Sequence, residues 1–211
     1  MHKTALYLTA ILLAGSLSLA CAADRLSTVG CDKQEVSFGD LTADALCADS
    51  GATMAFVAAM SFKTGSIPAA NTTQEQVASL LQTPDESWAV CSLTGAQIRA
   101  SLERSLNRLP SPSVGFLQVS GLTVTYDASK PRERRVVSLR SPQGPVLAER
   151  KYEVVMPLSL AQGGAGYFQI FDKESIVRRG TRGLAALVYA FLQANPKREY
   201  TGQGRILPVT S

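Results

Sequence analysis

The sequence predicts an α+β domain built on a mixed β-sheet with flanking helices. Three observations carry that expectation. Helix-spaced apolar patterns occur early, in "FGDLTADALCADSG" and "LTGAQIRASLERSLNRL", and again late, in "RGLAALVYAFLQAN". Between them lies a cluster of short β-like segments joined by turns. No internal repeat, low-complexity tract or long linker divides the chain after residue 22.

Each element follows from its residues. "FGDLTADALCADSG" puts Leu41, Ala45 and Leu46 on one helical face and stops at Gly51. "TMAFVAA" is a short apolar run that fits a buried strand. "TTQEQVASLL" opens with a threonine cap and a glutamate in the first turn, so it predicts a helix. "ESWAVCSL" predicts a strand. In "LTGAQIRASLERSLNRL", Ile98, Leu102, Leu106 and Leu109 recur at helical spacing, and Pro110 ends the pattern. "GFLQVS", "LTVTYD", "RRVVSLR" and "KYEVVMP" predict strands. The last helix is followed by a terminal apolar "GRILP".

Met1–Ala22 has the anatomy of a secretory leader: Lys3, the apolar run "ALYLTAILLAGSLSLA", then small residues in "LACAAD". Ala20 and Ala22 fit the −3 and −1 positions, which places the cut after Ala22 and leaves 23–211 as one domain. About 190 residues are enough for a sizeable core. Two alternatives stay open. One is a lipoprotein cut before Cys21, which would tether the chain to a membrane, although Ser18 at −3 is unusual for that signal. The other is an uncleaved anchor, whose run of about 17 apolar residues is short against the roughly 20 that span a bilayer. All three make the folded part exported, either periplasmic or secreted.

The formal net charge is +4, and the basic residues gather in "KPRERRVVSLR" and "IVRRGTRG". So mild an excess fits solvated faces, Arg132, Arg134 and Arg135 among them, or an anion-friendly surface. It does not point to nucleic acid. The only histidine is His2, inside the leader. The mature chain therefore has no Ser-His or Cys-His pair and no histidine metal ligand. An oxidising compartment would let Cys31 and Cys47 close a loop of about 16 residues, stabilising by about 3 kcal/mol where geometry allows. Cys91, in "SWAVCSL", reads as a buried thiol. No cysteine spacing resembles a metal knuckle, and no cofactor is implied.

Leu160–Phe168, "LAQGGAGYF", is the most unusual stretch. Its glycines permit close approach of a backbone to a ligand, yet Ala165 at the centre has no polar handle.

Five stretches carry a family likeness: "GDLTADAL", "LTGAQIRASLERSL", "GFLQVSGLTVTYDASKPRERRVVSL", "YEVVMPLSLAQGGAGYFQIF" and "GRILP". In their order and spacing, from about Glu35 to Pro208, the chain resembles the C-terminal domain of 5′-nucleotidases. That domain is the substrate-binding half of ecto-5′-nucleotidases and bacterial UDP-sugar hydrolases. The resemblance implies an α+β fold and a role in nucleotide catabolism. In that family a separate N-terminal metallophosphoesterase domain holds two metals, and nothing in this sequence corresponds to it. The expectation is a chain with no catalytic residue and no metal ligand of its own.

The resemblance also assigns binding positions. A stacking aromatic falls on Phe116, a polar residue near the nucleoside on Gln118 and a phosphate-contacting arginine on Arg99. The glycine loop falls on Gly163, Gly164 and Gly166, with Lys63 beside the stretch that faces phosphate. Stacking on an aromatic is worth about 1–3 kcal/mol per base in proteins that bind single strands. The departures are Ser159 for the second aromatic, Ala165 for the acidic residue that holds ribose, and Ala59, Ser61, Phe62 and Thr64 in the Asn-Gly-Gly-Ile-Arg stretch. A lost polar partner in a dry site can cost about 10⁴-fold in discrimination.

Each position has a plainer reading as well. Phe116 and Tyr167 would be core, Arg99 an exposed residue paired with Glu103 at i+4, and the glycine loop architecture. The functional expectation is a non-catalytic module that binds a nucleoside or nucleotide. Two alternatives are a substrate-binding component served by a separate metallophosphoesterase, and an interaction domain with no ligand.

Overall fold

The computed structural model describes residues 25–200 and 203–209. The leader, its cut site and Cys21 lie outside them.

The described chain opens with a short strand (β1, Arg25–Ser27) and a helix (α1, Ser37–Ser50) that ends on Gly51 in the left-handed conformation. A buried strand (β2, Met54–Ala58) and an edge strand (β3, Ser66–Pro68) follow. The helix α2 (Gln74–Ser79) starts in a reciprocal capping box between Thr73 and Gln76. The strand β4 (Trp88–Thr94) runs directly into α3 (Gly95–Leu106), which Thr94 and Gln97 cap in the same way. Four strands come next: β5 (Leu117–Ser120), β6 (Thr123–Tyr126), β7 (Val136–Ser141) and β8 (Gly144–Pro145). The strand β9 (Lys151–Pro157) leads through one helical turn, α4 (Leu158–Ala161), into the glycine loop. Then come β10 (Ile176–Arg179), α5 (Leu184–Ala194) and β11 (Ile206–Pro208).

Three sheets form where one was expected. The central one has the order β10-β4-β9-β2-β5 and is mixed, with β2 parallel to β9 and the other pairs antiparallel. A four-stranded sheet, β11-β6-β7-β8, and the β1–β3 ribbon stand apart from it. Strands β2 and β5 are buried along their whole length, as strands covered on both faces are. The strand β2 is a continuous apolar run, whereas β5 buries Gln118 and Ser120 between its apolar residues. α1 packs on β2, β5 and α5. Phe56 projects to the face that carries α3, and its ring meets Phe171 at 6.4 Å, which stacks on Tyr167 at 5.1 Å. Burying Phe56 completely is worth about 2–3 kcal/mol.

A reciprocal latch joins α3 to β7. The Glu103 carboxylate accepts from the N–H groups of Arg135 (2.8 Å) and Val136 (2.9 Å), and Arg135 donates back to the carbonyls of Leu106 and Leu109 at the end of α3. A cation on those carbonyls also complements the helix dipole. Arg135 is thus a buried structural residue, which corrects the expectation of a solvated one. "IVRR" forms the edge strand β10, which the sequence did not predict, while Val177, Arg178 and Arg179 stay exposed as a solvated basic face.

The C-terminal strand is held by Arg205, whose guanidinium grips Asp44 at 2.9 Å through both nitrogens and donates to the carbonyl of Val119. Glu35 accepts from the N–H groups of Arg205 and Ile206. Asp40 is buried in the same cluster. Desolvation pushes its carboxyl up to about 9, against the pull of Arg205 and with help from Glu35 and Asp44.

Cys31 and Cys47 are free thiols, which corrects the expected disulfide. Cys31 packs near the start of α1, where its carbonyl accepts from Gln118. Cys47 sits about three turns further along that helix, beyond the roughly 7 Å that a disulfide bridges between Cα atoms. Burial pushes both thiols up to about 11, which keeps them protonated. Cys91 is buried in β4, as its strand position predicts.

Candidate functional site

The glycine loop makes its close approaches to its own protein. Gly163 and Gly166 have positive φ (90° and 81°), as does Ala165 at 53°. A Cβ on Gly163 would lie 2.6 Å from the Phe168 Cα, and one on Gly164 would lie 2.7 Å from the Ser159 carbonyl oxygen. A Cβ on Gly166 would strike the guanidinium of Arg104, which donates to the Ala165 carbonyl at 3.0 Å and lies over the Tyr167 ring. The space that these glycines leave is therefore filled by the domain itself. Tyr167 is fully buried and donates its hydroxyl to Gly115 at 2.7 Å, so it is core.

The other expected ligand contacts mostly turn inward as well. Phe116 is only 1% exposed, with no face open for a stacked base. Gln118 is completely buried and its amide is spent on one loop. It accepts from the Val36 N–H and donates to the carbonyls of Cys31 and Gln34. In this structure both are structural residues, which corrects their assignment as ligand contacts. Lys63 is exposed. Its neighbour Phe62 is buried edge-on against Phe38. Arg99 is exposed on α3, where it lines one groove together with Gly166 of the glycine loop, and donates to the Val136 carbonyl at 2.9 Å. It makes no ion pair with Glu103, because both oxygens of that carboxylate hold the β7 backbone.

Two of the stretches that the resemblance aligns do meet. Met60 and Ser61 form one wall of a cleft of about 470 Å³ and Leu158, Ser159 and Gln162 form another. The third wall is Gln82–Ser87, the segment that enters β4. Glu86 ties two of the walls together by accepting from the Ser159 N–H at 2.7 Å. Hydroxyls, amides and the carboxylates of Asp85 and Glu86 line the cleft, and no basic side chain does. Such groups accept and donate hydrogen bonds to neutral polyhydroxylated molecules and repel anions.

Reading the sequence did not single out Glu86 or Gln162, because the contact that joins their walls spans 73 positions. Phe168, 69% exposed at the exit of the loop, was also missed. The pair "YF" gives no sign of which ring turns outward. Among the described residues no group of three or more His, Cys, Asp or Glu side chains is placed to hold a metal.

Residues 15–173 match the family model "5′-nucleotidase, C-terminal domain". The chain is 35% identical over 92 residues to the snake venom 5′-nucleotidase of Naja atra, covering 40% of this chain and 17% of the relative. It is 35% identical over 119 residues to a 5′-nucleotidase-related protein of Glossina morsitans morsitans, covering 52% and 21%. Among solved structures, the 5′-nucleotidase precursor of Thermus thermophilus superposes with a TM-score of 0.77 at 25% identity, over 90% of this chain and 39% of that one. The NAD nucleotidase of Haemophilus influenzae shares the fold at a TM-score of 0.70 and 12% identity, covering 89% and 37%. The chain thus spans about a fifth of these curated relatives and under two-fifths of the solved ones.

Proposed function

This chain belongs to the family of 5′-nucleotidase C-terminal domains, and we propose that it serves as an exported, non-catalytic module holding an uncharged, hydroxyl-rich ligand of the nucleoside type. The observation that carries the proposal is the lining of the Ser159 cleft. It occupies the place where the aligned family stretches meet, yet it offers hydroxyls, amides and two carboxylates with no cation. A carboxylate such as Asp85 accepts hydrogen bonds from ribose-like hydroxyls. The same carboxylate beside a phosphate costs about 1 kcal/mol per unit charge at 4 Å even in bulk water, and more in a cleft. Phosphorylated ligands are therefore disfavoured. The non-catalytic part rests on the resemblance, which covers the substrate-binding half of the family; two-metal hydrolysis needs ligands for a pair of cations, which the family's other domain holds. Export rests on the leader-like Met1–Ala22.

Calorimetry with adenosine and AMP, together with a phosphate-release assay, tests the proposal. The expected result is saturable heat with adenosine that is lost in Ser159→Trp, which fills the cleft, and weaker binding of AMP at this cleft. Tighter binding of AMP than of adenosine there, no binding of any nucleoside, or phosphate released from AMP by the protein alone would each overturn it. A second reading is a substrate-side component that docks a separate metallophosphoesterase. Two large apolar side chains favour it, Val114 and Phe168, which are 66% and 69% exposed on the loops next to this cleft. Phosphate release that appears only when such an enzyme is added would establish that reading.

A further inference from the structure

We propose that the groove along the outer face of α3 binds a small organic oxyanion, a carboxylate or phosphate monoester carried on an apolar body. The groove encloses about 470 Å³, within the range of small-molecule sites. It shares no lining residue with the Ser159 cleft. Its floor is the Ala96, Ala100, Glu103 and Asn107 stripe of the helix, and Val146 and Ile170 supply apolar walls.

Arg99 and Arg104 stand on either side of that floor, about 140° apart around the helix axis. Each guanidinium is pinned by one backbone carbonyl: Arg99 by Val136 at 2.9 Å and Arg104 by Ala165 at 3.0 Å. Neither has another protein hydrogen-bond partner among the described residues, so each keeps several N–H donors free. Arg135 and Arg205, by contrast, spend themselves on the fold. An arginine held in place yet unsatisfied suits a carboxylate or phosphate, which it can grip through two parallel bonds.

Asn107 lines the groove at its far end, and an amide N–H there donates to an oxyanion. The start of α3 is not what attracts the anion, because its N–H groups already bond to Arg150, Ala148 and Thr94. Of the two acids at the groove, Glu103 is engaged by the β7 backbone. Glu133 is exposed, and solvent screens its repulsion.

The experiment is an NMR titration of the isotope-labelled full chain with phenyl phosphate, benzoate and inorganic phosphate, following the side-chain amides of Asn107 and Gln169. The expected result is saturable shifts with phenyl phosphate or benzoate, the stronger of the two identifying the head group, and weaker binding of inorganic phosphate. Arg99→Gln should lower affinity about tenfold. Glu133→Gln should raise it. Ala100→Trp, at an exposed helix position, should abolish it while leaving adenosine binding at the Ser159 cleft unchanged. Arg104→Gln also loosens the glycine loop, so Ala100→Trp remains the decisive variant if Arg104→Gln fails to fold. Absence of saturable shifts at Asn107 and Gln169, or shifts that survive Ala100→Trp, would overturn the proposal. So would equal affinity for inorganic and phenyl phosphate, which would leave the apolar walls without a role.

Discussion

The Ser159 cleft and the α3 groove are equal in volume and opposite in chemistry. Both take a wall from the single segment Leu158–Ile170, which contains the glycine loop. One is lined by Asp85 and Glu86 without a cation, and the other by two arginines with donors to spare. The difference originates in β4. The acidic residues lie just before this seven-residue strand and α3 follows it immediately, so a run of roughly 23 Å carries the two charges to opposite ends. What this teaches is a division of labour. The loop supplies shape to both sites, while the elements at the two ends of one strand supply the charge that selects a ligand.

The sharpest way to break the comparison is to deform the shared wall. Gly163→Ala places a methyl 2.6 Å from backbone at a φ of +90°. It should cost about 2–4 kcal/mol in denaturant unfolding and weaken ligand binding at both sites. Gly144→Ala is its control. That residue also has positive φ but nothing within 4 Å of the added methyl, so the conformational term alone should cost about 1 kcal/mol. If the two variants lose equal stability, crowding at Gly163 is not what fixes the loop.

Next comes a substitution that separates the sites. Glu103→Ala strips two buried N–H groups at the start of β7 of their acceptor, at an expected cost of about 2–3 kcal/mol. It should disturb the α3 groove and leave adenosine at the Ser159 cleft untouched, which titrations of both ligands on the variant would check.

Glu103 also shows how far the sequence could be read. The helix that bears it was legible from Ile98, Leu102 and Leu106, because a 3.6-residue apolar period is a local signal. So were α1 with its stop at Gly51, α2 with its capping threonine, and the strands β2, β4, β5, β6, β7 and β9. The family likeness was legible for the same reason, since scaffold motifs are short and contiguous. The roles of polar side chains were not. Glu103, Arg135 and Gln118 all look like surface or ligand residues along the chain, yet the contacts that join them to other elements span 26 or more positions, and only the fold brings them together. The three-residue strands β1 and β3 have too few residues to show a period. "IVRR" became a strand because β4 offered it an edge.

A buried carboxyl away from both clefts provides the control on stability. Burial raises the Asp40 carboxyl to about 9, against about 3.9 when unfolded. Between those values the native state binds more protons than the unfolded one, so stability falls as pH rises from about 4 to about 9. Asp40→Asn removes the titration. The variant should gain about 1 kcal/mol or more relative to wild type at pH 8, and the two should converge near pH 4 in paired urea melts. Neither ligand titration should change. A difference between wild type and variant that is constant across that window would mean that the carboxyl is ionised throughout.

The smallest expected effect tests the comparison most directly, because its variable is the solvent. Raising ionic strength from about 0.01 M to about 0.15 M shortens the screening length from about 30 Å to about 8 Å. An oxyanion drawn to Arg99 and Arg104 loses long-range attraction over that range, and its affinity should drop severalfold. A neutral nucleoside in the Ser159 cleft has no net charge for the field of Asp85 and Glu86 to act on, so its affinity should hold steady. AMP offered to the same cleft in Ala100→Trp, whose α3 groove is blocked, should bind better as salt rises, since screening weakens the repulsion between its phosphate and those carboxylates. Three ligands thus give three signs of salt dependence from one fold. If all three titrations moved in the same direction, the charge difference between the two clefts would not govern what they bind.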